Sequence, residues 1–163
     1  PARVPALAWK ELDWLRSLTS LPLVLKGVRT AEDAHVAVEC GVNGILVSTH
    51  GGRQMDSTLS AIESLPEIVE VCKEHAEVYL DSGVRRGSDV LKALALGARA
   101  VGVGRPLYWG LAVNGAEGVH GMLELLRSEL DQVLGYCGQT DVQHLEPGLV
   151  TVPYGWGNGK MYP

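Results

Sequence analysis

The amino-acid sequence predicts an α/β fold built from four parallel β/α units. Two observations predict it: short, nearly continuous apolar runs alternate with segments of helical spacing, and each apolar run ends in a cluster of polar residues or glycines. In a parallel sheet the carboxyl ends of all strands lie at one rim. We therefore expect these clusters to meet there, as they do in a (β/α)8 barrel or in an open α/β sheet.

The individual elements follow from apolar spacing and from capping residues. Thr30 is a suitable N-cap for the second helix, which Gly41 ends, and Ser88 is a suitable N-cap for the fourth. Pro66 falls inside the third helix and indicates a kink or a restart. The predicted helices span 9–17, 30–40, 58–74, 88–96 and 115–135, and the predicted strands span 21–26, 43–47, 77–80 and 100–103.

Composition narrows the class of protein. The chain has 163 residues, of which 46% are apolar and 20% charged, and its net charge of −5 argues against a nucleic-acid binder. No apolar stretch approaches the roughly 18 residues needed to span a membrane. Cys40, Cys72 and Cys137 are odd in number and show no metal-ligand spacing, which predicts reduced thiols, no metal site and an intracellular protein. The cytoplasm is the expected location, with the peroxisome and the mitochondrion as alternatives. Residues 1–138 form the predicted domain, and 139–163 a loosely held tail.

The second strand ends in the segment Ser48-Thr-His-Gly-Gly-Arg53. His50 can exchange a proton near neutral pH, and Arg53 is a fixed cation three residues later. Such a pair suits a site that binds a carboxylate through the arginine and takes a proton with the histidine. A polar turn with a surface histidine and a surface arginine is the alternative interpretation.

The third and fourth strands end in glycine-containing turns that each carry an arginine. These turns are Asp81-Ser-Gly-Val-Arg85 and Gly102-Val-Gly-Arg105. Two guanidinium groups and free backbone N–H groups predict a phosphate site, although two ordinary βα turns would look similar. Lys26 ends the first strand at the same rim, where it either serves the site or extends its charged end to solvent.

Taken together, these segments resemble the FMN-dependent 2-hydroxy-acid oxidase and dehydrogenase family, which includes glycolate oxidase, lactate oxidase and lactate 2-monooxygenase. The resemblance covers about residues 8–138 and implies units five to eight of a TIM barrel, the C-terminal half of a (β/α)8 fold. The matching segments, in the family's order, are Leu21-Pro-Leu-Val-Leu-Lys-Gly-Val28, Ser48-Thr-His-Gly-Gly-Arg-Gln-Met-Asp56, Asp81-Ser-Gly-Val-Arg-Arg-Gly87, Asp89-Val-Leu-Lys-Ala-Leu-Ala-Leu-Gly-Ala98 and Val103-Gly-Arg-Pro106.

The resemblance implies FMN as cofactor and oxidation of a small L-2-hydroxy acid to the 2-oxo acid or its decarboxylated product. Lys26 and Ser48 would contact the flavin, with Lys26 near N1 and the C2 carbonyl, where it would stabilise the anionic reduced flavin. His50 would contact the substrate and act as catalytic base on its hydroxyl or α-proton, and Arg53 would hold its carboxylate. The FMN phosphate cradle would comprise Asp81, Ser82, Gly83, Val84, Arg85, Gly104 and Arg105. Oxygen is the expected electron acceptor, a homo-oligomer is a possible assembly, and the sequence leans slightly toward lactate 2-monooxygenase. Asp81-Ser-Gly83, which stands where Asp-Gly-Gly is more common, contributes to the lean toward lactate 2-monooxygenase.

Two departures from the family's pattern affect these expectations. Thr49 stands where the family usually has Asn. The family's first four strands, with a substrate-contacting tyrosine and an aspartate that orients the base, have no counterpart. We therefore expect a fragment or a truncated gene model, which on its own binds FMN weakly and shows negligible turnover.

Two other functions are compatible with these residues. The first is a non-catalytic flavin- or phosphate-binding half-barrel that needs a partner chain. The second is another phosphate-binding barrel, such as a type 2 isopentenyl-diphosphate isomerase or an IMP dehydrogenase-like enzyme. The His50-Gly-Gly-Arg53 turn argues against the latter, because those families build their catalytic groups elsewhere.

Overall fold

The computed structural model describes residues 8–153, which form four β/α units. The strands are β1 (Val24–Val28), β2 (Gly44–Val47), β3 (Glu77–Leu80) and β4 (Ala100–Val101). The helices are α1 (Glu11–Leu18), α2 (Ala31–Glu39), α3 (Ala61–Cys72), α4 (Gly87–Ala95) and α5 (Arg105–Tyr136), with 3₁₀ turns at His50–Gly52 and Pro147–Leu149. The strands are all parallel and lie in the sheet in chain order, so the predicted α/β fold of four parallel units is confirmed.

One face of the sheet packs against the helices and holds the core. Ile45 and Val47 of β2 and Leu80 of β3 are at most 2% exposed and pack in one cluster with residues of α2 and α3. Side chains alternate between the faces of a strand, so the neighbouring row lies on the opposite face. We call this second face the open face, because its residues are partly or largely exposed: Val24, Lys26, Leu46, Tyr79 and Ala100.

Capping explains where the second and third helices begin. The Thr30 hydroxyl accepts the backbone N–H of Asp33 at 3.2 Å, as predicted for an N-cap. At α3 the backbone N–H of Ser60 donates to the Glu63 carboxylate at 2.7 Å, which places a capping box at the start of the helix. The helix then continues through Pro66 as one element, so the predicted restart does not occur.

The start of α4 differs from the prediction. The N-cap is Arg86 rather than Ser88, and the helix begins at Gly87. The physical reason is the Asp89 carboxylate, which accepts the backbone N–H groups of Arg85 and Arg86 at 3.0 Å each. The carboxylate of the third helical residue thus accepts the two N–H groups just before the helix, and its negative charge is favourable at the positive end of the helix dipole.

The last strand is shorter and the last helix longer than predicted. β4 contains only Ala100–Val101, and α5 begins at Arg105 instead of residue 115. The helix is interrupted at Asn114 and Gly115, which leave helical φ/ψ. Helical spacing was hard to recognise here because two glycines provide a backbone contact instead of side chains: a Cβ on Gly118 would lie 1.9 Å from the Gly110 carbonyl oxygen.

The chain after residue 138 is partly packed. Val150 and Val152 contact the hydrophobic core, so the expectation of a loosely held tail is wrong for this stretch. Residues 154–163 lie outside the described part, and the domain boundary at 138/139 stays a prediction. Among the helices of residues 8–153, none combines the length and the apolar character that a membrane crossing requires.

Candidate active site

The polar ends of β2, β3 and β4 surround one cavity, which we call the rim cavity. Its volume is about 250 Å³, below the range of about 300–1,000 Å³ that is usual for complete small-molecule sites. Lys26 and Ser48 do not line it, although both lie at the same rim. The predicted site residues that line the rim cavity are His50, Arg53, Asp81, Ser82, Gly83, Val84, Arg85, Gly104 and Arg105.

A polar network joins the ends of β1, β2 and β3. The Lys26 Nζ lies 3.0 Å from Asp81 Oδ2 and donates to the buried Ser48 hydroxyl at 2.6 Å. Burial raises the pKa of Asp81, but contacts with Ser48, Lys26 and Ser82 and the charge of Lys26 together outweigh it, so that the pKa lies below its ordinary value. Asp81, assigned by resemblance to the phosphate cradle, is therefore the counter-ion of Lys26 in this structure.

His50 is held on a tight turn after β2. Its φ of +53° is in the left-handed region, which is uncommon for a residue with a side chain. The backbone N–H of His50 donates to the Ser48 hydroxyl at 3.0 Å. The imidazole packs over Gly27, where an added Cβ would lie 2.8 Å from His50 Cε1.

Gly27 is a functional neighbour that the sequence analysis missed. It has a φ of +98° and lies in an irregularity of the β1–β2 pairing, between Lys26 and Val28. A glycine inside an apolar strand signals a bulge or a close approach, and that signal was present in the sequence.

Three guanidinium groups without carboxylate partners line the rim cavity. Among the ion pairs of residues 8–153, none involves Arg53, Arg85 or Arg105. The Arg85 guanidinium lies over the Trp109 ring, 5.7 Å from its centre, and Arg105 donates from Nη2 to the Gly51 carbonyl at 3.3 Å. Nothing in the sequence indicated this contact between Trp109 and Arg85.

The backbone around these arginines also suits an anion. The N–H groups of Gly83 and Gly104 donate to no acceptor within the described residues, and a Cβ added to either glycine would meet nothing within 4 Å. Gly104 is the N-cap of α5, so the positive end of that helix dipole faces the same region. Unpaired guanidinium groups, free N–H groups and a helix N-terminus together fit a phosphate group.

No metal centre is formed by the described part of the chain: it contains no group of three or more His, Cys, Asp or Glu side chains arranged to hold an ion. The histidines outside the turn lie away from the rim cavity. His35 pairs with Glu39 at 3.3 Å on the surface of α2, and His144 pairs with Asp141 at 3.2 Å. The rim cavity therefore brings together one imidazole, which can exchange a proton, and three guanidinium groups, which can bind an anion.

Comparison with known proteins shows relatives of one kind. The model of the FMN-dependent dehydrogenase family matches residues 2–152. The chain is 51% identical to 2-hydroxyacid oxidase 1 of Homo sapiens and 50% identical to an L-lactate oxidase of Nostoc sp., covering in both cases 90% of this chain and 40% of the relative. A crystal structure of mandelate oxidase with (S)-2-phenylpropionate superimposes with a TM-score of 0.82 at 47% identity, over 86% of this chain and 42% of the other. The chain thus spans about 40% of the length of its curated relatives, as predicted for a half-barrel.

Proposed function

This chain belongs to the FMN-dependent dehydrogenase family, and we propose that the protein it forms oxidises a small L-2-hydroxy acid to the 2-oxo acid. The observation that carries the proposal is the placement of His50 and the unpaired Arg53 on one cavity that also holds a phosphate-compatible cradle. The relatives named above are 2-hydroxyacid, L-lactate and mandelate oxidases, which supports a hydroxy acid as substrate.

The donor set fits FMN at both ends. The backbone of Gly83, Val84 and Gly104, together with Arg85 and Arg105, would hold the phosphate. Lys26, Ser48, Asp81 and Ser82 form the polar network that would meet the rest of the cofactor. When bound, FMN supplies an acceptor for the electron pair that leaves the substrate.

The residues of the chain would carry the substrate-binding and proton-transfer steps. The planar fork of Arg53 can bind a carboxylate through two parallel hydrogen bonds, which fixes the orientation of a 2-hydroxy acid. His50 would then take the hydroxyl proton or the α-proton as general base. Within residues 8–153 no carboxylate lies within ion-pair distance of the His50 imidazole, so the group that orients the base would come from elsewhere in the protein.

The open face favours a second candidate function. Val24 is 51% exposed and the Lys26 side chain 41% exposed, so this face could become the interior of a barrel whose remaining strands pair with the edge strands β1 and β4. If those strands belong to a separate chain, the protein is a flavin- or phosphate-binding half-barrel that depends on a partner. Use of oxygen as acceptor, lactate 2-monooxygenase-like chemistry and a homo-oligomer belong to the proposal, and the intracellular, cytoplasmic location stays a prediction.

The test is an FMN titration followed by substrate reduction in the absence of oxygen. We expect the protein that carries this chain with its other barrel strands to shift the visible spectrum of FMN and to lose the flavin absorbance when L-lactate, glycolate or (S)-mandelate is added. The chain alone should bind FMN weakly and reduce it negligibly.

Two variants sharpen this test. Arg53→Lys keeps the charge but loses the fork, so FMN binding should persist while the substrate concentration needed for bleaching rises. His50→Asn should abolish bleaching without abolishing FMN binding. Bound FMN that none of the three acids bleaches would refute the oxidation and favour the second candidate. Failure of the protein with all its barrel strands to bind FMN would refute the oxidation and leave only the phosphate-binding form of the second candidate.

A further inference from the structure

Ser82 occupies a backbone conformation that costs stability for any residue except glycine. It lies two residues after the end of β3 and has a φ of +73°, in the left-handed region. A glycine would adopt this conformation freely. Ser82 is also one of the positions where the chain departs from the family's usual pattern. We therefore expect the Ser82 side chain to make an interaction that offsets this cost.

The hydroxyl of Ser82 uses its full hydrogen-bonding capacity. It donates to Asp81 Oδ1 at 2.8 Å and accepts the backbone N–H groups of Thr49 at 3.2 Å and Gly51 at 3.3 Å. One donor and two acceptor sites are all that a hydroxyl offers. Ser82 thus links the Lys26–Asp81 ion pair to the turn that carries His50.

Ser82 contacts the residues immediately before and after His50. The peptide N–H groups on either side, of Thr49 and Gly51, are held by the Ser82 hydroxyl, and the N–H of His50 is held by Ser48. Because His50 also has a left-handed φ, its conformation needs such support to persist. Thr49 also differs from the family's usual residue, and its backbone N–H is the one that donates to the Ser82 hydroxyl.

We propose that Ser82 is a positioning residue, whose hydroxyl fixes the turn of Thr49, His50 and Gly51 so that the imidazole keeps its place at the rim cavity. Its relevance to catalysis rests on the proposed function, whereas its effect on the turn does not. The Ser82 side chain lowers the stability of the fold because of its left-handed φ, but its hydroxyl orders the turn that carries His50.

The test compares two variants that separate the hydroxyl from the backbone strain. Ser82→Ala removes the hydroxyl and keeps a Cβ at positive φ, whereas Ser82→Gly removes both. We expect both variants to speed amide hydrogen exchange at Thr49 and Gly51 by about 3- to 10-fold, as for the loss of one modest hydrogen bond at each amide. Ser82→Gly should melt at a higher temperature than Ser82→Ala, because only the glycine relieves the strain.

Ser57 offers a matched control. It also has a left-handed φ, of +56°, it is exposed, and its hydroxyl makes no hydrogen bond within the described residues. Ser57→Gly should raise the melting temperature without changing exchange at Thr49 or Gly51. Unchanged exchange at both amides in Ser82→Ala would overturn the proposal, as would an equal change in Ser57→Gly.

A kinetic readout separates this proposal from the proposed function. In the FMN-loaded protein, the Ser82 variants should lower kcat more than they raise KM, since the base is displaced while Arg53 still binds the carboxylate. Faster exchange together with an unchanged kcat would show that the turn needs no fixing for catalysis and would overturn the positioning role. Faster exchange in a protein that oxidises no hydroxy acid would refute the proposed function and leave the structural link intact.

Discussion

The contact between Gly27 and the His50 imidazole yields a quantitative prediction. In Gly27→Ala the new Cβ would lie 2.8 Å from His50 Cε1, about 0.6 Å closer than the 3.4 Å at which ordinary contact begins. His50 is exposed, so its ring has room to move away and should do so by at least that amount. A misplacement of 1 Å can reduce a rate by about a hundredfold, so about 0.6 Å predicts a loss in kcat of roughly tenfold.

The same substitution also strains the backbone, and a control must account for this. Gly27 has a φ of +98°, where a Cβ costs roughly 1–2 kcal/mol. Gly41 has a comparable φ of +72°, and the nearest atom to its added Cβ is Arg16 Nη2 at 3.8 Å. Gly41→Ala should therefore lose stability without touching the imidazole.

The assay follows the imidazole directly. In protein labelled at histidine Cε1, the His50 resonance should shift in Gly27→Ala and stay in place in Gly41→Ala, while both variants melt at lower temperature. Turnover of the FMN-loaded protein should fall only in the first. A His50 resonance and a kcat that match the parent protein in Gly27→Ala would refute the argument that this glycine makes room for the ring.

Three further predictions concern charge, ring contact and thiol reactivity. The folded pKa of Asp81 lies below the ordinary 3.8, so its ionisation stabilises the fold above that pH and this contribution is lost as the pH falls through the folded pKa. Asp81→Asn should therefore melt below the parent at pH 7, with a gap that narrows in acid; a constant gap down to pH 2 would contradict this. Trp109→Ala removes the ring under Arg85 and should weaken the binding of inorganic phosphate by about 2- to 5-fold, because a partly exposed cation–π contact is worth about 0.5–1 kcal/mol. A Kd for phosphate that is unchanged by NMR titration would argue that the ring does not hold the Arg85 guanidinium. Burial raises the pKa of the Cys72 thiol to about 11. At pH 8 iodoacetamide should therefore label the exposed Cys137 and leave Cys72 unlabelled until the protein unfolds. Similar labelling rates for the two thiols, measured by mass spectrometry, would show that the core opens.

The sequence predicted the features that depend only on the order of the strands or on residues close together in the chain. Parallel strands place their carboxyl ends together, so the clusters after β2, β3 and β4 could be expected at one rim, and the structure has them on one cavity. The N-cap at Thr30 was equally local, because its hydroxyl accepts an N–H group only three residues later in the chain. Predictions of this kind need no knowledge of which distant residues come into contact.

The sequence was uninformative where distant residues decide the outcome. Nothing in the neighbourhood of Asp81 shows that Lys26 lies 3.0 Å away, and this ion pair changes the role first assigned to the aspartate. The contact of Gly27 with His50 and the approach of Gly110 to Gly118 likewise depend on packing between segments. The start of α4 is a different case, because the competing groups are close in the chain: the Asp89 carboxylate, and not the Ser88 hydroxyl, binds the N–H groups at the helix start.

The order of the strands bears on how the site is assembled during synthesis. Because β1 to β4 lie side by side in chain order, each unit can pair with the one made just before it, and closing the loops between neighbours costs little entropy. The ion pair of Lys26 with Asp81 spans two of these additions, so it can form only once β3 has been added to the growing sheet. Among these residues Arg105 is translated last, and its hydrogen bond to the Gly51 carbonyl joins the end of β4 to the turn that carries His50. The histidine turn would thus leave the ribosome before β3, and it would acquire its fixed shape only after β3 and the residues that follow it have been translated.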